Sequence, residues 1–273
     1  CVRSGPDGNI KSEATTIMVR VHTIGFEMGD ASEASATGTV LVQSVTVRSG
    51  GYAVAMPFET YWIDLNTSSI AEVFIRAPFF LDNVTAGTPK VSWFMNTTEL
   101  GYIQTTGALP VLGAYVGGVL QASGTKQILP NIWYLLEIRV TIADAGGIIT
   151  VRLDGATEID FTGDTKPGAD TTLNKIRLTN KVGSSQYVYY DDIAINDTTG
   201  GVDTSWCGDG KVIALIPNAA GTYTSIATVV GAATHWQAVD EAPHNSNTDY
   251  VTDDETGIDR KDTFNTSHAV PST

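Results

Sequence analysis

Two adjacent carboxylates, Asp191 and Asp192, stand inside the apolar stretch QYVYYDDIAINDTTG at 186–200. Side chains in an extended strand alternate faces, so Asp191 is expected to share the face of Ile193 and Ile195, with Asp192 on the other. Tyr187 and Tyr189 fall on the Asp191 face by the same parity. A carboxylate on the core side of a strand is costly unless hydrogen-bond donors or a cation meet it. GFEMGD, near the start of the chain, supplies two more acids, Glu27 and Asp30. Hard oxygen ligands from several carboxylates and backbone carbonyls suit Ca²⁺. A fold that brings GFEMGD beside the closing strand would make Glu27, Asp30, Asp191 and Asp192 the candidate ligands of a structural calcium. The alternative is that Asp191 accepts hydrogen bonds from backbone N–H groups, or from a Thr or Tyr, at a closing corner.

A second acidic strand, EIDFTG, carries Glu158 and Asp160. Retaining glycosidases need a nucleophile and an acid/base roughly 5–5.5 Å apart, and an E-x-D-x-x-E strand places them so. Gly163 occupies the position of the second Glu, and a proton donor for the leaving group is missing. A solvated strand edge is the expected role of EIDFTG. The four histidines, His22, His235, His244 and His268, lack zinc-site spacing. No nucleophile elbow, phosphate loop or dinucleotide fingerprint occurs. Trp93 and Trp133 sit inside strand-like runs and are expected in the core; Trp62 suits either a core or a sugar-stacking position. The acidic run TDYVTDDETGIDRKD reads as a solvated loop.

The elements that must position these residues are strands. From Met18 to about Asn196 the apolar pattern has period 2, with Gly, Asn, Asp and Thr clusters between the runs. VRVHTIGFE, TVLVQSVTV, YAVAMPF, AEVFIRA, KVSWFM, LGYIQTT, LPVLGAYV, VLQAS, NKIRLTN and YVYYDDIAI are among the expected strands. WYLLEIRVTIADAGGIITVRLDGATEIDFTGD reads as a three-stranded meander, with Tyr134, Leu136, Ile138, Val140 and Ile142 on one face of its first strand. Gly117-Gly118 reads as a hairpin turn. After NDTTGG at 196–201 the composition shifts, and KVIALIP is the strongest strand signal in the remainder of the chain.

Bulk properties narrow the function. The 273 residues are 42% hydrophobic and 17% charged, which supports a sizeable core. Thirty acidic against sixteen basic residues give a net charge of −14, which disfavours nucleic acid as a partner. No run is long and apolar enough for membrane insertion. Cys1 and Cys207 do not make a disulfide framework. Residues 1–17 are polar and unlike the strand-patterned segment beginning at Met18; they are read as a non-native or disordered leader, with Met18 as a candidate start.

Several of these stretches together resemble a family. WYLLEIRVTI and DAGGIITVRLDG resemble the meander of laminin-G-like, concanavalin-A-like jelly rolls. GFEMGD and YYDDIAIND resemble the flanking strands of jelly-roll carbohydrate-binding modules. The continuation through DTTGGVDTSWCGDGKVIALIPN resembles tailed-phage virion proteins, where such a domain joins a second β-module. The resemblance implies an all-β jelly-roll sandwich over 18–200, then a truncated second β-module over 201–273. It implies that the first and last strands lie side by side, and that the matching acids hold calcium. It also implies a non-enzymatic, tail-associated virion protein, homo-oligomeric, whose partners are other virion proteins and a host-surface glycan. The alternative is a secreted or cell-surface bacterial carbohydrate-binding module. A glycan-cleaving enzyme is the third reading, disfavoured by Gly163.

Overall fold

The structure, a computed structural model, describes residues 20–180, 186–199, 202–241, 248–253 and 260–266. The leader and Met18 lie outside the described residues.

Alternation dictates the architecture. A seven-stranded antiparallel sheet runs in the order Val119–Ser123, Val111–Val116, Thr98–Thr106, Lys90–Met95, Leu173–Thr179, Trp62–Ile70, Ala36–Thr37. One face of it buries Ile63, Leu65, Val91, Trp93, Ile103, Leu112, Ile176 and Leu178. A six-stranded sheet, in the order Arg20–Ile24, Ile193–Asp197, Glu72–Arg76, Leu136–Thr141, Gly147–Leu153, Ala156–Gly163, contributes Val73, Ile75, Ile138, Val140 and Val151 to the same cluster. A five-stranded sheet (Trp133–Tyr134, Phe79–Leu81, Val188–Tyr190, Ala53–Met56, Leu41–Gln43) completes the enclosure. The fold is an all-β sandwich of the jelly-roll kind. Arg20–Ile24 pairs antiparallel with Ile193–Asp197, so the first and last strands of the sandwich are neighbours.

The expected meander stands as read, with Leu136–Thr141, Gly147–Leu153 and Ala156–Gly163 adjacent in one sheet. Its last turn is Asp154-Gly155, both left-handed at φ 53 and 82. That is what a two-residue hairpin matched to strand twist requires. Gly117-Gly118, at φ 54 and 81, makes the other expected hairpin. Glycine is needed for a different reason at Gly101. A methyl group there would stand 2.5 Å from the buried Trp93 ring and from the Tyr115 carbonyl oxygen. Gly101→Ala is expected to cost about 1–3 kcal/mol through overpacking. A thermal melt would read it, and an unchanged midpoint would contradict this account.

Three sequence expectations give way. The stretch YVYYDDIAI is two strands in two sheets, because Asp192 is left-handed (φ 50) and breaks the alternation. Val188 and Tyr190 point into the core, and so do Ile193 and Ile195. Tyr187 and Tyr189 take the opposite face, contrary to the parity reading. Trp62–Ile70, nine residues long, was not among the expected strands. The run KVIALIP forms no strand; Pro217–Thr224 does instead, paired with Asp262–Thr266, while Thr228–Val230 pairs with Tyr250–Thr252. Residues 206–212 are a strap laid against the sandwich. Trp206 packs on Phe74 and Arg152, the Gly208 N–H donates to Glu137, and the Val212 N–H donates to Asp192. Among the described residues no helix is long and apolar enough to cross a membrane.

Candidate functional site

The neighbouring first and last strands bring Glu27, Asp191 and Asp192 around one turn, residues 48–52. Glu27 accepts the N–H groups of Gly51 (2.8 Å) and Tyr52 (3.4 Å). Asp191 accepts those of Arg48 (2.8 Å), Ser49 (3.2 Å) and Asp192 (2.7 Å). Asp192 meets the Arg48 guanidinium (2.6 Å) and the Ser49 hydroxyl (2.7 Å). Asp30 sits on its own turn and accepts the N–H and hydroxyl of Ser32. Among the described residues no group of three or more His, Cys, Asp or Glu is arranged to hold a metal ion. Both aspartates are fully buried, so the expectation that Asp192 faces outward is corrected by the same left-handed turn.

Burial, followed by the neighbouring Asp192 charge, pushes the Asp191 carboxyl up to about 7, against three N–H groups that favour the charged form. A raised folded-state value means the folded protein binds the proton more tightly than the unfolded chain. The linked stability is fully present below the ordinary value of 3.8 and is lost as the pH rises to about 7. Asp191→Asn is expected to flatten the fall in melting temperature across that window. A slope identical to wild type would remove Asp191 as its source.

The outer face of the seven-stranded sheet carries a different chemistry. Alternation that sends Val91, Trp93, Ile176 and Leu178 inward sends Lys90, Ser92, Phe94, Lys175 and Arg177 outward. Register places Arg177 beside Ser92 and Ser92 beside Tyr102, one row across three strands. Trp62 and Asp64, on the next strand, join that face: Arg177 lies over the Trp62 ring at 4.1 Å and grips Asp64 with two bonds of 2.6 and 2.7 Å. The Lys90 ammonium sits 4.2 Å above the Tyr102 ring and 2.7 Å from Glu99. Tyr102 stacks on Tyr115 at 4.7 Å. These groups surround a hollow of about 190 Å³ lined by Trp62, Lys90, Ser92, Phe94, Glu99 and Arg177 among others. Ser92 Oγ and Gln104 Oε1 are buried on this face without a hydrogen-bond partner. Buried polar atoms without a partner are rare in folded proteins. Burial raises the Tyr102 phenol above its ordinary value, helped by the Glu99 charge and then Tyr115, so it keeps its proton at neutral pH.

Sequence reasoning missed this cluster, although two signals were present. KVSWFM and NKIRLTN both place cations opposite apolar residues, in a chain with only sixteen basic residues. The residues that were singled out have structural partners. Glu158 accepts the N–H groups of Thr125 and Lys126, and Asp160 accepts the Thr150 hydroxyl. His22 bonds the Asn66 carbonyl, and His235 pairs with Asp262. His244 and His268 lie outside the described residues.

No family model and no curated protein matches the sequence. Solved structures do match in fold. An endo-β-1,4-glucuronan lyase from the fungus Trichoderma reesei is 14% identical with a TM-score of 0.52, over 66% of this chain and 96% of that one. The alginate lyase Aly36B is 13% identical at TM-score 0.46, over 66% and 98%. A carbohydrate esterase from a Shiga toxin-encoding bacteriophage is 19% identical at 0.42, over 59% and 87%. At the last two scores the likeness supports nothing further, and a virion role finds no support in it. The expectation of a non-enzymatic protein is corrected: a structure that shares this fold at a TM-score above one half is the glucuronan lyase, so the fold gives no ground for excluding an enzyme. Gly163 bears only on a retaining-glycosidase pair of carboxylic acids. It stands on an edge strand of the six-stranded sheet, away from the Lys90–Tyr102–Arg177 row.

Proposed function

We propose that the chain is a polysaccharide lyase that cleaves an acidic, uronate-containing glycan on the outer face of the seven-stranded sheet. The observation that carries the reading is the row Arg177–Ser92–Tyr102 with Lys90 over the tyrosine ring. β-Elimination at a uronate removes the proton at C5, next to the carboxylate, and expels the oxygen bound at C4. The carboxylate must be met by a cation, the proton taken by a base, and the leaving oxygen protonated. Arg177 uses Nε and Nη2 on Asp64 and turns its remaining nitrogen to a sugar carboxylate. Lys90, whose nitrogen stands over the Tyr102 ring, is assigned to take the C5 proton, a step that requires its neutral amine. Tyr102, still protonated at neutral pH, returns a proton to the leaving oxygen. Trp62 and Phe94 give the sugar rings apolar surface beside the cations. The glucuronan lyase of similar fold agrees with a polyuronate substrate.

The test is direct. The purified chain is incubated with glucuronan, alginate and polygalacturonate, and the ultraviolet absorbance of an unsaturated uronate end is followed. Absorbance growing on at least one polymer supports the reading. Silence on all three, with no unsaturated product by mass spectrometry, would refute it.

A further inference from the structure

A second hollow, of about 410 Å³, opens elsewhere on the sandwich and shares no lining residue with the first. It is bounded by Arg48, Trp133, Leu135, Glu137, Asp154 and Asp209. Trp133 was expected in the core, yet it is only half-buried, because Tyr134 and Leu136 take the inward positions of that segment.

Trp133 also begins a row of aromatic side chains. Register places it beside Phe80, and Phe80 beside Tyr189, across three strands of the five-stranded sheet. Ring centroids are 5.7 Å apart from Trp133 to Phe80, 5.6 Å from Phe80 to Tyr189, and 6.0 Å from Tyr189 to Tyr187. The loop carrying Arg48 continues this surface, since the Thr46 side chain hydrogen-bonds Tyr189. Polar groups close the other side. Glu137 is held by the Gly208 N–H, Asp154 by the Leu135 N–H, and the exposed Asp209 by Arg48.

Charge selects the occupant. Arg48 is shared between Asp192 and Asp209, and Asp154 is paired with Lys126. Arg76 and Arg152 stand across the strands from Glu137, so with Glu137 included four carboxylates face four cations. That even balance gives uronates, sulfates and phosphates no net attraction, and the carboxylates offer acceptors to hydroxyl groups. An indole wall beside fixed carboxylates matches a pyranose, which has an apolar C–H face and a rim of hydroxyl donors. We infer that this hollow binds a neutral sugar unit of a glycan, with Trp133 against the apolar face of the ring and Asp209 and Glu137 accepting its hydroxyls. The site is independent of the lyase reading, which concerns a different sheet and an acidic sugar.

Calorimetric titration of the full chain with short cello-, xylo-, manno- and galacto-oligosaccharides tests it. At least one is expected to bind. Trp133→Ala is expected to weaken that binding about tenfold. Asp209→Ala, at an exposed position that leaves the core untouched, is expected to weaken it measurably as well. A saturating oligouronate is expected not to compete. Binding by none of the four, binding unchanged in both variants, or displacement by the oligouronate would each overturn the assignment. The readout is binding of neutral sugars, so failure leaves the lyase assay to be judged on its own result.

Discussion

Lys90→Ala is expected to lower the rate of polyuronate cleavage by about 10²–10⁴-fold while leaving the fold in place. The loss is that of the proton-accepting group itself, since the substitution removes the amine that stands over the Tyr102 ring. Glu99, the partner left behind, is partly exposed, so water can solvate it and the stability cost stays small. Tyr102→Phe provides the complementary test. It keeps the ring under Lys90 and the stack on Tyr115 and deletes only the hydroxyl. A loss in the same range is expected in kcat, because proton delivery belongs to the transition state. The pH profile separates a proton donor from a merely structural phenol. Tyr102 must be protonated to act, so wild-type activity should fall on the alkaline side, through a value raised above that of an ordinary tyrosine. Arg177→Lys should act differently, raising KM more than it lowers kcat, because a lysine cannot grip Asp64 with two bonds and still present a donor to the sugar. Cleavage at the wild-type rate by both Lys90→Ala and Tyr102→Phe would remove this face as the catalytic site.

Residues that alternate without interruption were legible from the sequence. Tyr134, Leu136, Ile138, Val140 and Ile142 share one face as expected, and that face is the core side; the turns at Asp154-Gly155 and Gly117-Gly118 lie where their residue types place them. Alternation failed where one backbone angle resets it. The left-handed Asp192 shifts the parity of everything before it, which moves Tyr187 and Tyr189 to the outer face and buries both aspartates. Propensity failed at Trp62–Ile70. Only Ile63, Leu65 and Ile70 of that strand are apolar and buried, and its N-T-S-S run has the composition of a turn. The omission mattered, since this strand brings Trp62 and Asp64 to the site. The site itself was illegible for a topological reason. Lys90–Met95 lies between Thr98–Thr106, its hairpin partner, and Leu173–Thr179, some eighty residues further along. Local pattern states that Lys90 and Arg177 face outward from their strands; only the long-range pairing places them one strand apart.

Asp192→Ala is expected to destabilise the protein by about 3–5 kcal/mol, the range for removing one partner of a buried ion pair. The side chain is fully buried and meets three groups that no water replaces. One carboxylate oxygen accepts the Ser49 hydroxyl and the Val212 N–H, at 2.7 and 2.6 Å, and the other meets Arg48 at 2.6 Å. Its loss strands the Val212 N–H and leaves Arg48, itself mostly buried, with Asp209 and the Gly210 carbonyl oxygen. The left-handed backbone adds to the cost, since aspartate and asparagine tolerate that conformation better than alanine. Asp192→Asn isolates the charge: it keeps the backbone tolerance and one acceptor while losing the ion pair, and should fall between wild type and alanine. Asp209→Ala, removing the solvent-exposed partner of the same arginine, should cost under about 1 kcal/mol. The strap at 206–212 is tied to the sandwich through Asp192, Glu137 and Arg76, the last donating to the Asp192 and Gly208 carbonyl oxygens. Its amides should therefore exchange faster with solvent in Asp192→Ala than in Asp209→Ala, in excess of the global loss of stability. Hydrogen exchange resolved to this segment measures that difference. Equal protection in the two variants would mean that the buried aspartate does not anchor the strap.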